Sequence, residues 1–199
     1  MQSRLLHQGV AVCATVSSMN GYTLFDTAIG RCGIAWTQRG VAALQLPEAH
    51  EGKTRVRLLR RFPQALEAAP PAAVQRAIDG IVALLRGDAC DLSSIRLDMQ
   101  GVPPFHRRVY ALARTIAAGR TLTYGDIATQ LGDPGAARAV GQALGHNPFA
   151  IIVPCHRVLA AHGQAGGFSA HGGAATKLRL LSIEGVQVPG TSTLFDAAA

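Results

Sequence analysis

The sequence predicts an α+β protein in two parts, and three observations carry that prediction. Short apolar runs broken by turn dipeptides fill residues 10–46. Apolar residues at helical spacing follow them. Past a "QGVPP" break the chain turns mostly helical and holds a helix-turn-helix pattern. At 199 residues and 48% hydrophobic, the chain suffices for one large domain or two small ones with a packed core.

In order, "VAVCATV" (10–16), "YTLFDTA" (22–28), "RCGIAWT" (31–37) and "GVAALQL" (40–46) read as strands, with "NG", "IG" and "RG" as turns. "TRVRLLRRF" puts Val56, Leu59 and Phe62 along one side of a helix. "PAAVQRAIDGIVALLRG" repeats at Val74, Ile78, Ile81, Val82 and Leu85. It opens on Pro70 and Pro71 and stops at Gly87, as helices do. A further strand is expected at "SSIRLDM" (93–99). These elements make a supporting part over 1–99. Residues 100–104 link it to a second part over 105–188, and 189–199 form a loose tail. There are no internal repeats.

The second part opens on "FHRRVYALARTI", with Phe105, Val109, Leu112 and Ile116 at helical spacing. Thr123 and Asp126 form a capping-box pattern for a short helix carrying Ile127 and Leu131, which Gly132 ends. Asp133 is placed to cap the next helix, with Pro134 at its first position. Two short helices so spaced make a helix-turn-helix. The second, "GAARAVGQALG", is mostly alanine and glycine, so its backbone approaches another surface closely. On alanine and glycine alone, close packing against a protein neighbour is the favoured reading of this helix. Its one long cation, Arg138, in a basic chain, tilts the reading towards DNA.

The net charge of +7 and pI near 9.9 point to a polyanionic partner. Arginine supplies nearly all of it: Lys53 and Lys177 are the only lysines. Arginine in place of lysine also accompanies GC-rich genomes. Cys13, Cys32, Cys90 and Cys155 stand singly, with no CxxC pair, so neither a zinc knuckle nor a disulfide framework is indicated. Free cytosolic thiols are the expectation, with no metal and no cofactor. The opening "MQSRLLHQGVAVCATVSSM" has a short apolar stretch but no small-x-small cleavage site, and no run is long enough for a membrane span. A cytoplasmic monomer with no membrane partner is expected.

"NPFAIIVPCHRVLAAHG" (147–163) sets Cys155 between Pro154 and His156 at the end of an apolar run. A reactive thiol needs a partner that stabilises its thiolate. Neighbours on a strand point to opposite faces, so Cys155 and His156 must cooperate at a strand end, through a turn or through a bridging water. Glu184 in "KLRLLSIEGV" is placed to orient the imidazole, although the stretch is also an ordinary helix end. Pro154 and Arg157 have a structural reading, Arg157 in an internal ion pair. A cysteine hydrolase using Cys155, His156 and Glu184 fits these residues. A non-catalytic DNA-binding regulator is the other reading.

"PCHRV" (154–158) is preceded by "TYGDIA" (123–128), "AARAVG" (136–141) and "GHNP" (145–148), and followed by "LLSIEG" (180–185). In that order, over about residues 103–187, the blocks resemble the methylated-DNA–protein-cysteine methyltransferases, the O6-alkylguanine-DNA alkyltransferases. The resemblance implies a ribonuclease-H-like N-terminal domain and a winged-helix-like second domain. It implies suicide repair of O6-alkylguanine, and less well O4-alkylthymine, in double-stranded DNA bound through the minor groove. Cys155 would be the permanent alkyl acceptor, His156 the base through a water, and Glu184 the end of the relay. Asn147 would be the hinge, and Tyr124 would turn the phosphate and donate towards the base. Arg138 would fill the stack beside Ala137, Gly141 and Gln142. Ser169, Phe168, Pro154 and Val158 would form the pocket. Phe168 stands where the family often has tyrosine, and "FSAHGG" with His171 departs from the simplest form of its loop. Both departures leave the range of alkyl groups open.

Overall fold

The computed structural model describes residues 20–188, so the strand expected at 10–16, Cys13 and the tail lie outside the described residues. The fold is a mixed α+β arrangement, with a small sheet followed by helices. Strands β1 (Asn20–Thr27), β2 (Gly30–Thr37) and β3 (Gly40–Gln45) form an antiparallel meander. Gly40 turns the chain from β2 into β3 with φ 131°, and the Arg96 carbonyl lies where a Cβ would sit. The meander's other edge carries a two-residue parallel strand, β4 (Leu66–Glu67), which no sequence pattern marked.

Alternation along β2 divides the apolar side chains between two faces. Ala35 joins Tyr22, Ala43 and Leu58 under helix α1 (Glu51–Leu59). Cys32, Ile34 and Trp36 face the opposite way, into the main core with Val74, Ile78 and Ile81 of helix α2 (Ala72–Leu85). That core continues into the second half, through Val109, Tyr110, Val140 and Phe149.

Two sequence expectations are corrected here. On α1, Leu58 and Thr54 face the sheet, while Val56, set on the apolar side with Leu59 and Phe62, is 57% exposed. The stretch 93–99 is not a strand. Its backbone pairing with the sheet is a single bridge at Leu97, where Val41 N donates to Arg96 O and Asp98 N donates to Val41 O.

In the second half, helix α3 runs Pro104–Ala113, with Pro103 and Pro104 at its start. Helix α4 (Tyr124–Gln130) opens on the predicted capping box. Thr123 Oγ1 accepts from Asp126 N at 3.1 Å, and Asp126 Oδ2 accepts from Thr123 N at 2.7 Å. Asp133 precedes a short 3-10 turn at Pro134–Ala136, but its side chain makes no capping hydrogen bond. Helix α5 (Ala137–Gly145) follows, with Val140, Ala143 and Leu144 buried and Arg138 and Gln142 exposed. Strands β5 (Leu122–Thr123) and β6 (Val158–Leu159) pair in parallel, tying the start of α4 to the chain just past Cys155. Helix α6 (Gly173–Ile183) ends at Glu184. No helix among the described residues is long and apolar enough to cross a membrane.

Candidate active site

The segment carrying the thiol is held from two sides. Asn147 bridges it to the end of α5: its Nδ2 donates to Val153 O at 2.8 Å, and its Oδ1 accepts from Phe149 N at 2.9 Å. From the sheet, Leu44 N of β3 donates to Pro148 O at 2.8 Å. Between these anchors Ile151, buried and β-branched, takes a left-handed backbone with φ 69°. Such a residue at that φ stores on the order of 1–3 kcal/mol of strain, held by its surroundings. Residues 155–157 then form a tight 3-10 turn rather than a strand end. The strand argument for the relative aim of Cys155 and His156 therefore does not apply to them.

Cys155 is buried, with 8% of its surface exposed. Burial pushes its thiol up, while the Asn147 amide, the Lys177 charge and the backbone amides of Cys155 and His156 pull it back. In the resting state the thiol keeps its proton, so a base is needed to make the nucleophile.

His156 is buried, and burial pulls its pKa down although Glu184 opposes this, so the ring is neutral at neutral pH. Its Nε2 lies 2.9 Å from Glu184 Oε1, and a carboxylate requires Nε2 to donate. That tautomer leaves a lone pair on Nδ1, which is buried and has no hydrogen-bond partner among the described residues. Glu184 also accepts from Arg157, at 2.9 Å from Nε to Oε2 and 2.8 Å from Nη2 to Oε1. Arg157 Nη1 donates to Ile116 O at 2.5 Å, so this arginine forms the internal ion pair its sequence position allowed. Burial pushes Glu184 up, but the donors from His156 and Arg157 outweigh it and hold the carboxyl at about 2.

Lys177 was not among the expected site residues. It lies on α6 with 0% exposure, and its Nζ donates to Val158 O at 2.5 Å and sits 5.6 Å from the Tyr124 ring centroid. Among the described residues no carboxylate pairs with it. Burial pulls its pKa down to about 8, opposed by the charge of the Cys155 thiolate. Below that pH its ammonium charge favours the Cys155 thiolate. The sequence signal was available in its scarcity: an arginine-rich chain keeps just two lysines.

Two cavities reach Cys155. One, of about 550 Å³, is walled by Tyr124, Ala137, Arg138, Gly141 and Gln142 together with Phe168 and Ser169. It brings the sequence-predicted helix face and the thiol to one opening. The other, of about 280 Å³, lies towards α1 and shares Gly145, Cys155, Phe168 and Ser169 with the first. Pro154 and Val158 are buried and line neither of these two cavities. Pro154 instead faces a third cavity with Arg114 and Arg157. Tyr124 is half-buried beside the thiol, and burial raises its hydroxyl pKa, so it remains a donor.

A buried thiol set against a helix-turn-helix, with a hydrogen-bonded histidine–glutamate pair behind it, fits the class of proteins that perform cysteine chemistry on DNA. A family model for the DNA-binding domain of 6-O-methylguanine DNA methyltransferase matches residues 104–186. The methylated-DNA–protein-cysteine methyltransferase of Mycobacterium tuberculosis is 46% identical over 126 residues, covering 63% of this chain and 74% of that protein. The crystal structure of the Mycobacterium tuberculosis O6-methylguanine methyltransferase superposes with a TM-score of 0.68 at 38% identity, covering 89% of this chain and all of that one. A second structure from that organism, in complex with DNA, gives 0.65 at 37% identity, over 83% and 93%. The chain belongs to the methylated-DNA–protein-cysteine methyltransferases, the direct-reversal DNA repair enzymes.

Proposed function

We propose that this protein binds double-stranded DNA through α4 and α5, extrudes an O6-alkylguanine and takes its alkyl group permanently onto Cys155. The observation that carries this reading is the shared opening: Arg138, Gly141 and Tyr124 line the same cavity as the thiol. An alkyl group on O6 is out of reach of in-line attack inside a duplex, so the base must leave the stack. Arg138, exposed on a helix of small residues, is the side chain positioned to fill the gap, a wedge of the kind used from the minor groove. Phosphate contacts then supply most of the affinity and little sequence preference.

The Cys155 proton passes to His156 Nδ1, through a bridging water, and Glu184 steadies the imidazolium. The Sγ–carbon bond forms as the carbon–O6 bond breaks, and its electron pair stays on the guanine, which regains a proton. Tyr124 and Ser169 donate towards the leaving base. The product is a thioether with no route back, so each molecule acts once. We read O4-alkylthymine as a poorer substrate and the protein as a cytoplasmic monomer. The N-terminal meander with its covering helices supports a ribonuclease-H-like reading of the first half. The β5–β6 pair flanking the helix-turn-helix supports a winged-helix-like reading of the second.

Intact-protein mass spectrometry after incubation with a duplex carrying one O6-methylguanine tests the proposal. Wild type gains one methyl, saturating at one per molecule, and Cys155→Ala gains none. Tight binding of the lesion with no mass gain on wild type would leave a lesion sensor instead.

A further inference from the structure

The smaller cavity at Cys155 differs in charge from the one facing the helix-turn-helix. Arg57, Arg60 and Arg61, at the end of α1 and just beyond, line it, and no carboxylate does. Arg57 is engaged: Nη1 lies 2.6 Å from Glu48 Oε1, and Nη2 donates to Ser169 O at 2.8 Å. Glu48 also faces His171 at 3.8 Å. Arg57 thereby fixes the cavity wall to the loop that carries Phe168 and Ser169. Arg60 and Arg61 are exposed and, among the described residues, have no ion-pair partner. Two uncompensated guanidiniums therefore look into a space that ends at the nucleophile.

We propose that this cavity takes the part of the adduct beyond its reacting carbon, and that the enzyme favours O6 adducts ending in a carboxylate, such as carboxymethyl, over neutral adducts of equal size. The inference rests on the reading of Cys155 as alkyl acceptor. In the step itself Sγ bonds to the methylene carbon and the methylene–O6 bond breaks. The electron pair stays on the guanine, the thiol proton goes to His156, and nothing is oxidised or reduced. The product is S-carboxymethylcysteine with its carboxylate intact. A thiolate attacking carbon beside a carboxylate brings two negative charges within a few ångströms, which a neutral pocket leaves repulsive. Guanidiniums pair with carboxylates through two parallel hydrogen bonds, and Arg60 and Arg61 supply that pairing where the repulsion arises.

Single-turnover alkyl transfer from three duplexes, bearing O6-methyl-, O6-carboxymethyl- and O6-carbamoylmethylguanine, is the test. The carbamoylmethyl group is the neutral isostere. Wild type transfers carboxymethyl about tenfold faster than carbamoylmethyl, equivalent to one pKa unit of charge stabilisation. In the double variant Arg60→Gln, Arg61→Gln that ratio falls to about one, and Arg61→Glu alone lowers it as well. A ratio unchanged in these variants overturns the proposal, as does an equal loss on all three duplexes, which would make the arginines DNA-backbone contacts. Absence of transfer from the O6-methyl duplex by wild type overturns the alkyl-acceptor reading itself, an outcome distinct from an unaltered ratio.

Discussion

Replacing Glu184 with glutamine removes the charge on which the buried relay depends. The carboxylate side chain is 4% exposed and receives His156 Nε2 and two nitrogens of Arg157. Holding its pKa at about 2, against an ordinary 4.5, makes the ionised form worth roughly 3 kcal/mol to the fold. The folded pKa is depressed, so this stability is present above the ordinary carboxylate range. It is lost progressively as pH falls from about 4.5 to about 2. Glu184→Gln forfeits it at every pH and leaves Arg157 buried without a counter-charge, a change that costs about 3–5 kcal/mol. Glutamine also presents an amide that donates to His156, and the tautomer that frees Nδ1 is no longer enforced. Urea unfolding from pH 7 to pH 3 is the assay, with single-turnover alkyl transfer beside it. Wild type weakens towards pH 3, whereas the variant starts several kcal/mol lower and lacks that component of the decline. Parallel declines in the two proteins would falsify the account of Glu184 as a buried, doubly paired carboxylate.

Asn147→Ala removes two buried-segment hydrogen bonds of about 1 kcal/mol each, so thermal unfolding shows a loss near 2 kcal/mol and alkyl transfer collapses with it. Transfer that persists at the wild-type rate would remove Asn147 from the positioning of Cys155. Lys177→Met deprives the thiolate of its cation and moves the pH at which Cys155 reacts upward, so labelling at neutral pH slows. The rate of iodoacetamide labelling against pH reads this, and superimposed profiles would refute it. Arg138→Ala, at an exposed position, alters stability by less than about 0.5 kcal/mol. It slows transfer from duplex DNA yet leaves transfer from the free O6-methylguanine base unaltered; equal slowing on both substrates contradicts a role in base extrusion.

The parts of the fold that were legible in the sequence are those fixed by local chemistry. Thr123 and Asp126 stand three residues apart and form the box that spacing demands, and the turns between β1, β2 and β3 fall near their glycines. Where several patterns compete, tertiary packing chose. On α1 the sequence offered Val56, Leu59 and Phe62, yet the sheet surface accepts Leu58 beside Thr54, a polar residue whose Oγ1 accepts from Glu48 N. Ile95, Leu97 and Met99 alternate as a strand does and pack against the core, but the neighbouring chain supplies only one bridge. Around Cys155 the relay could be named, because cysteine, histidine and glutamate announce their chemistry. Lys177 was marked only by the scarcity of lysine, and its burial was not legible, since lysine is almost never fully buried. Nor did the sequence disclose that Arg57, 112 residues before Ser169, reaches its carbonyl.

Burial of Lys177 has a practical corollary. With that ammonium at 0% exposure, Lys53 is the single lysine that an amine-reactive reagent meets. Lys53 lies on α1 four residues before Arg57, so the two side chains share one helical face. A fluorophore coupled there stands one turn from the residue that grips the Ser169 loop. The chain thus carries a ready labelling address beside its acceptor pocket, with no engineered cysteine to compete with the reactive thiol.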